Sequence, residues 1–165
     1  MSADIFLAGM RRIAGAVTVI TTTGSNGERR GLTATAVCSL SVEPPSLVAC
    51  VNRKTWVAQF VRDAGVFAVN VLSHSQESIA RTFAGHTPLA GADRFSSGDW
   101  RAGRTGAPVV AGALASFECR LGKLIEHTTH VILIGEVVET AIGDGDSLVY
   151  LDGSFSAVPR QQPAA

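Results

Sequence analysis

The chain has 165 residues, 46% of them hydrophobic, with 14 basic and 14 acidic side chains and a formal net charge of zero. That length fits one domain with a substantial core, and the sparse, balanced charge leaves no electrostatic footprint for nucleic acid or an anionic membrane surface. No apolar run approaches the ~20 residues needed to span a bilayer, and the opening MSADIFLAGMRRI lacks the basic start and apolar middle of a secretory signal.

Phe6, Met10 and Ile13 stand at helical spacing, which predicts a short amphipathic helix over 3–12. AVTVITT (16–22) reads as a strand, and Asn26-Gly27 as a hairpin turn into a return strand that begins near Arg30. The prolines of Glu43-Pro44-Pro45 end that return strand, because proline cannot donate to a ladder. SLVACVN (46–52) is apolar on both faces and reads as a central strand. The helix after it is bounded by Thr55 as N-cap and Gly65 as C-terminal stop. VFAVNVL (66–72) is a further buried strand, and residues 73–85 read as a helix with Ser73 and Gln76 at capping-box spacing. Residues 86–112, rich in Gly, Ser, Pro and Asp, read as a long ordered loop. Strands are expected over 113–121 and 130–142, and a short final one over 149–158. Five to seven strands with few helices and no strict strand–helix alternation favour a small Greek-key barrel. Residues 1–158 make the domain, and 159–165 a flexible tail.

Two local patterns suggest chemistry. Read as one strand, 32–41 places Leu32, Ala34, Ala36, Cys38 and Leu40 on a core side and Thr33, Thr35, Ser39 and Ser41 on the other. Such a hydroxyl row suits either a wet sheet face or the floor of a site for a flat, hydrogen-bonding ligand. The junction VNRKTW is the second pattern. There a strand ends at Asn52 and a helix opens at Thr55, so unpaired helix N–H groups stand beside Lys54. That arrangement suits a phosphate, although capped helix starts with solvated cations are also common. If the two strands are neighbours, both patterns line one groove that fits an aromatic ring with a phosphate tail.

Other chemistries find little support. EHTTH reverses the glutamate of the HExxH zinc pattern, and the β-branched run after His130 places both histidines in a strand, where positions three apart face oppositely. A histidine at a strand start is more often structural than catalytic. Cys38, Cys50 and Cys119 are far apart and lack CxxC spacing, so they read as reduced core thiols of a cytoplasmic protein.

The succession MRRIAGAVTVITT, RGLTATAVCSLSVEPPSLVACVNRKT, GVFAVNVLS, ARTFAG, DRF, FECRL, HVILIGEV and LVYLDGSF closely resembles the short-chain flavin reductases, from about Met10 to Phe155. These are the reductase components of two-component monooxygenases. The resemblance implies a mostly β protein with short helices: a six-stranded Greek-key split barrel, homodimeric, that binds FMN or FAD and oxidises NADH or NADPH. It also implies a partner monooxygenase that receives the reduced flavin. By position, Leu32, Thr33, Ala34, Ser39 and Leu40 would meet the isoalloxazine and ribityl chain. Cys50, Val51 and Asn52 would lie along the ring edge, with Lys54 and Thr55 at the phosphate. Phe83, Ala84 and Gly85 would close the pocket. His130, as the catalytic histidine, and Tyr150 would stand on the nicotinamide side. Where the family usually has Gly-Asp before that histidine, this chain has Thr128-Thr129, and Phe155 stands where a tyrosine is common. Reduction of a bound acceptor such as a corrin, and non-catalytic flavin or haem binding, are the alternatives that share the fold.

Overall fold

The computed structural model describes residues 2–161, so the end of the expected tail, 162–165, lies outside the described residues. Helix α1 (Ala3–Met10) opens the chain, capped by the Ser2 hydroxyl. It buries none of its residues. Strands β1 (Gly15–Ala16), β2 (Thr18–Thr23), β3 (Arg29–Ala34), β4 (Val37–Val42) and β5 (Pro45–Asn52) follow. Next come α2 (Trp56–Ala64), β6 (Val66–Val71), a 3-10 turn at His74–Gln76 and α3 (Glu77–Phe83). A second 3-10 segment (Gly91–Ser96) leads to the β7 (Trp100–Ala102) and β8 (Pro108–Val110) hairpin. The long β9 (Ala115–His127) and β10 (His130–Ile142) hairpin and the short β11 (Ser147–Leu151) and β12 (Ser154–Val158) hairpin complete the fold.

The main sheet is antiparallel with strand order β3-β2-β6-β9-β10-β5-β4. Its two edge strands, β3 and β4, are consecutive in the chain and separated only by Thr35 and Ala36. Taken as two halves of one bent strand, they would reduce this seven-stranded sheet to six strands. The bend corrects the expectation of one flat strand from Arg30 onward. Leu32 is buried, but Cys38 and Leu40 beyond the bend are exposed, and a register shift between Ser39 and Ser41 breaks the alternation again. The hydroxyl row is therefore not one surface. Thr33 Oγ1 donates to the Ala80 carbonyl at 2.7 Å and ties β3 to α3.

Two cores flank β2, which explains why both of its faces are buried. Ile20 joins Leu47, Ala49, Val51, Phe67, Val69, Val131 and Leu133 inside the barrel, where α2 inserts Val57, Ala58 and Val61. Full burial of each valine of α2 contributes about 1.5–3 kcal/mol. Val19 belongs to the second core, with Leu72, Ile79, Phe83, Phe95 and Leu148. α2 stops at Gly65, whose left-handed φ of 69° lets its N–H reach the Val61 carbonyl.

Several boundaries differ from the sequence expectations. Residues 73–85 divide into the 3-10 turn and α3, while the Gln76 side chain accepts from the Ser73 N–H at 3.1 Å as the capping box requires. The expected loop 86–112 contains the 3-10 segment and the β7–β8 hairpin. Buried polar groups hold that hairpin: Asn70 Oδ1 accepts from Val110 N at 3.1 Å, and the Glu118 carboxylate accepts from Arg104 N at 3.0 Å and Thr105 N at 2.7 Å. β9 continues to His127 rather than stopping at Leu121, and the final strand is a hairpin. β5 is not central. It lies beside edge strand β4, with Leu47, Ala49 and Val51 inward and Val48 and Cys50 half-buried outside.

Candidate active site

A cavity of about 550 Å³ opens where β4 leaves β3. β3 is hydrogen-bonded on one side only, to β2, so the backbone groups on its other edge are free. β5 loses its β4 partner just past the bond from Cys50 N to Ala36 O at 2.9 Å, so the same edge is unpaired at Asn52 N, while the backbone groups of Val51 point to β10. Leu32, Thr33 and Ala34 from β3 and Cys50, Val51 and Asn52 from β5 line the cavity. Two strand edges thus present N–H and C=O groups to one space. Free strand edges are ready hydrogen-bonding templates.

Phe83 and Ala84, at the end of α3, wall the cavity on another side. Phe83 stands edge-on to Phe95 at 5.0 Å and 5.2 Å from Trp100, which fixes its ring. Gly31 makes room for it, because a β-carbon there would lie 2.7 Å from Phe83 Cε1. Tyr150 and Phe155, opposite each other in the β11–β12 hairpin with centroids 5.1 Å apart, add an aromatic wall. The Arg81 guanidinium covers the Phe155 ring at 4.9 Å.

Thr55 brings the start of α2 to the cavity. It is the N-cap by position, but its hydroxyl donates to the Asn52 carbonyl at 2.6 Å and gives the helix no side-chain cap. The first N–H groups of α2 therefore lack a side-chain acceptor, and no acidic residue occupies its first turn. Asn52 Oδ1 accepts from Lys54 N at 2.9 Å, which shapes the turn. Lys54 itself is exposed and outside the lining, as are Ser39, Leu40 and Gly85.

His130, the first residue of β10, lines the cavity beside Asn52, its register partner on β5. The expectation that His127 faces away from it is overturned. Thr128 and Thr129 form a two-residue turn, and His127 and His130 are Cα partners across the hairpin, so they share a face. Thr128 makes this possible with φ at 48°, and Thr-Thr carries none of the usual turn chemistry. Among the described residues no group of three or more His, Cys, Asp or Glu is placed to hold a metal.

Thr35 of the hydroxyl row and Phe155 also line the cavity, while sequence reasoning missed Val17, Ala36, His86 and Arg94. Arg94 reaches it from the second 3-10 segment, donating to the carbonyls of Phe83 and Leu89 at 3.3 Å each. Its place in DRF was the one available signal. The cysteines also differ from the expected buried set: Cys38 is exposed, Cys50 half-buried in the cavity wall, and only Cys119 fully buried. Burial, and secondarily the charge of Glu118, pushes the Cys119 thiol up to about 12.

A half-open cleft with strand-edge amides, an aromatic wall and one uncapped helix start defines a site for a flat heteroaromatic cofactor with an anionic tail. The chain belongs to the family described as flavin reductase like domain, whose model matches residues 10–159. It is 40% identical over 159 residues to an FMN reductase (NADH), RutF, of Ancylobacter novellus, covering 96% of this chain and 86% of the relative. The reductase component of 4-hydroxyphenylacetate 3-monooxygenase from Pseudomonas aeruginosa is 40% identical over 161 residues, covering 97% and 94%. Among solved structures, the NADH:FAD oxidoreductase SgcE6 of Streptomyces globisporus, in complex with NAD and FAD fragments, superimposes with a TM-score of 0.84. It is 34% identical, covering 99% of this chain and 95% of that one.

Proposed function

We propose that this protein is an NADH-oxidising flavin reductase that supplies reduced flavin to a separate oxygenase. The observation that carries the reading is the convergence of two free strand edges and an uncapped helix start on one cavity, in a chain of this family. The cavity volume falls in the range of small-molecule sites. The edges match a ring with alternating donors and acceptors, and the helix start matches a phosphate. Leu32–Ala34 and Cys50–Asn52 hold the ring, Phe83 and Ala84 close over it, and Thr55 at the helix start receives the phosphate, with Gly85 and Lys54, outside the cavity, assigned beside them by resemblance. Ser39 and Leu40, outside the cavity of one chain, are assigned to the ribityl side by resemblance alone.

The flavin, when bound, supplies the hydride-accepting chemistry. The protein's part is to hold the nicotinamide against it and keep water out. Tyr150 and Phe155 provide an apolar wall for the nicotinamide, and His130 a hydrogen bond to its carboxamide. No strong acid or nucleophile is required, in keeping with the largely uncharged lining.

A second copy of the chain belongs to the same proposal. The mean hydropathy of +0.25 is high for a small barrel. Outside the barrel, Cys50, Ile132 and Ile125 form one rung and Cys38, Val48 and Ile134 the next. These side chains are half-buried or exposed, and the face continues into the cavity wall at Cys50 and His130. Covering it with another copy would bury apolar surface and narrow the cavity mouth. Among the described residues no helix is long and apolar enough to cross a membrane, and we assign the protein to the cytoplasm.

The test is anaerobic NADH oxidation by purified protein with and without added FMN or FAD. Oxidation that depends on flavin and releases free reduced flavin to an ultrafiltrate supports the proposal. No NADH oxidation with either flavin overturns it, and reduced flavin fully retained on the protein favours a bound acceptor.

A further inference from the structure

The turn before β10 is tied to the strand–helix junction beside the cavity. The Thr129 carbonyl accepts from Arg53 N at 3.0 Å, and the Thr128 carbonyl accepts from Arg53 Nη1 at 3.2 Å. The hairpin tip is therefore fastened to the junction that carries Asn52 and Thr55. Thr128, β-branched yet at a φ of 48°, holds a conformation that persists only where its surroundings impose it. Within this fixed turn, Thr129 Oγ1 lies 2.8 Å from His130 Nδ1.

We propose that Thr129 is a positioning residue for His130: its hydroxyl donates to Nδ1, so the neutral ring carries its proton on Nε2 and that N–H is the donor left for the nicotinamide carboxamide. The proposal rests on the assignment of His130 to the nicotinamide side. An ionised carboxylate at position 129 would only accept, and would draw the proton to Nδ1 and leave Nε2 bare. A hydroxyl can donate instead. Neutral imidazole in water already favours the Nε2–H form, so the threonine reinforces the intrinsic preference. The anchored backbone adds a fixed ring orientation.

Two readouts on the flavin-loaded protein test this. Long-range proton–nitrogen NMR should show His130 as the Nε2–H tautomer, with Nδ1 shifted as a hydrogen-bond acceptor. Thr129→Val should move that Nδ1 resonance toward the free lone-pair position and lower kcat/KM for NADH about fivefold, with flavin affinity unchanged. Thr129→Ser should restore both. An Nδ1–H tautomer in the wild type, or imidazole resonances unmoved by Thr129→Val, overturns the proposal. If His130→Ala slows NADH turnover while Thr129→Val does not, the positioning role alone fails. If neither variant changes NADH kinetics, the nicotinamide-side assignment of His130 fails with it.

Discussion

Gly31 of β3 lies against the ring of Phe83, close enough that a β-carbon at Gly31 would sit 2.7 Å from Cε1 and 3.3 Å from the Ile20 carbonyl. Backbone on one side and a ring held by Phe95 and Trp100 on the other leave little room to yield. Gly31→Ala should therefore destabilise the protein by about 1–3 kcal/mol, as overpacking does. Since Phe83 walls the cavity, FMN affinity should fall as well. Denaturant midpoints and a fluorescence titration measure the two effects, and a variant as stable as the parent would mean that Phe83 moves freely.

The phosphate end is testable by comparing ligands. Lys54 is exposed and outside the cavity, so its charge acts through solvent. Lys54→Ala should weaken FMN by about 0.5–1 kcal/mol and leave riboflavin, which lacks the phosphate, nearly unchanged. Most of the phosphate preference should survive, because helix N–H groups carry it. Equal losses for both ligands in calorimetry would place the phosphate elsewhere.

Thr128 adopts a φ of 48°, a region that disfavours L-residues by about 1–2 kcal/mol. Glycine removes that cost and adds a backbone-entropy cost of about 0.5–1 kcal/mol. Thr128→Gly should thus stabilise the fold by up to about 1 kcal/mol, read as a rise in the urea midpoint. A loss of stability would show that the Thr128 side chain makes contacts that outweigh its backbone strain.

Alkaline stability should depend on Cys119. Its thiol is shifted from 9.0 to about 12 by burial and by Glu118. Above pH 9 the unfolded chain loses this proton while the folded chain keeps it. Stability then falls as pH rises, by up to about 1.4 kcal/mol per pH unit, until the folded value is reached. Below pH 9 the thiol is neutral in both states and contributes no slope. Cys119→Ala should be less stable at neutral pH, from the lost packing, yet show a shallower decline between pH 9 and 11. Parallel declines in the two proteins would refute the shifted thiol.

The parts of the fold that could be read from the sequence are those punctuated by strong local chemistry. Thr55 and Gly65 bound α2, Asn26-Gly27 turns β2 into β3, and Gln76 reaches back to Ser73. The bend at Thr35–Ala36 has no glycine or proline to mark it. It arises because β3 pairs with β2 while β4 pairs with β5, a tertiary demand that alternation cannot reveal. The His127–His130 pairing was missed because a two-threonine turn gives no turn signal. Leu32–Ala34, Cys50–Asn52 and Thr55 were readable as site residues from their segments and the resemblance. Arg94 and His86 were not, since they reach the cavity from a stretch held by tertiary contacts, Arg94 on the Phe83 and Leu89 carbonyls and Phe95 in the second core.

At the junction between β3 and β4 the barrel wall is held by covalent chain rather than by a ladder between the two strands. Amides bordering this seam should exchange with solvent faster than those of β6 or β9, which are paired on both sides. A ligand seated along Leu32–Asn52 would bridge the seam and act as a removable strut. Hydrogen exchange at Ala34, Thr35, Ala36 and Asn52 should therefore slow on loading and quicken when the ligand departs. Each turnover that releases its flavin would reopen the barrel at the same joint, so the mechanical state of the wall reports the occupancy of the site.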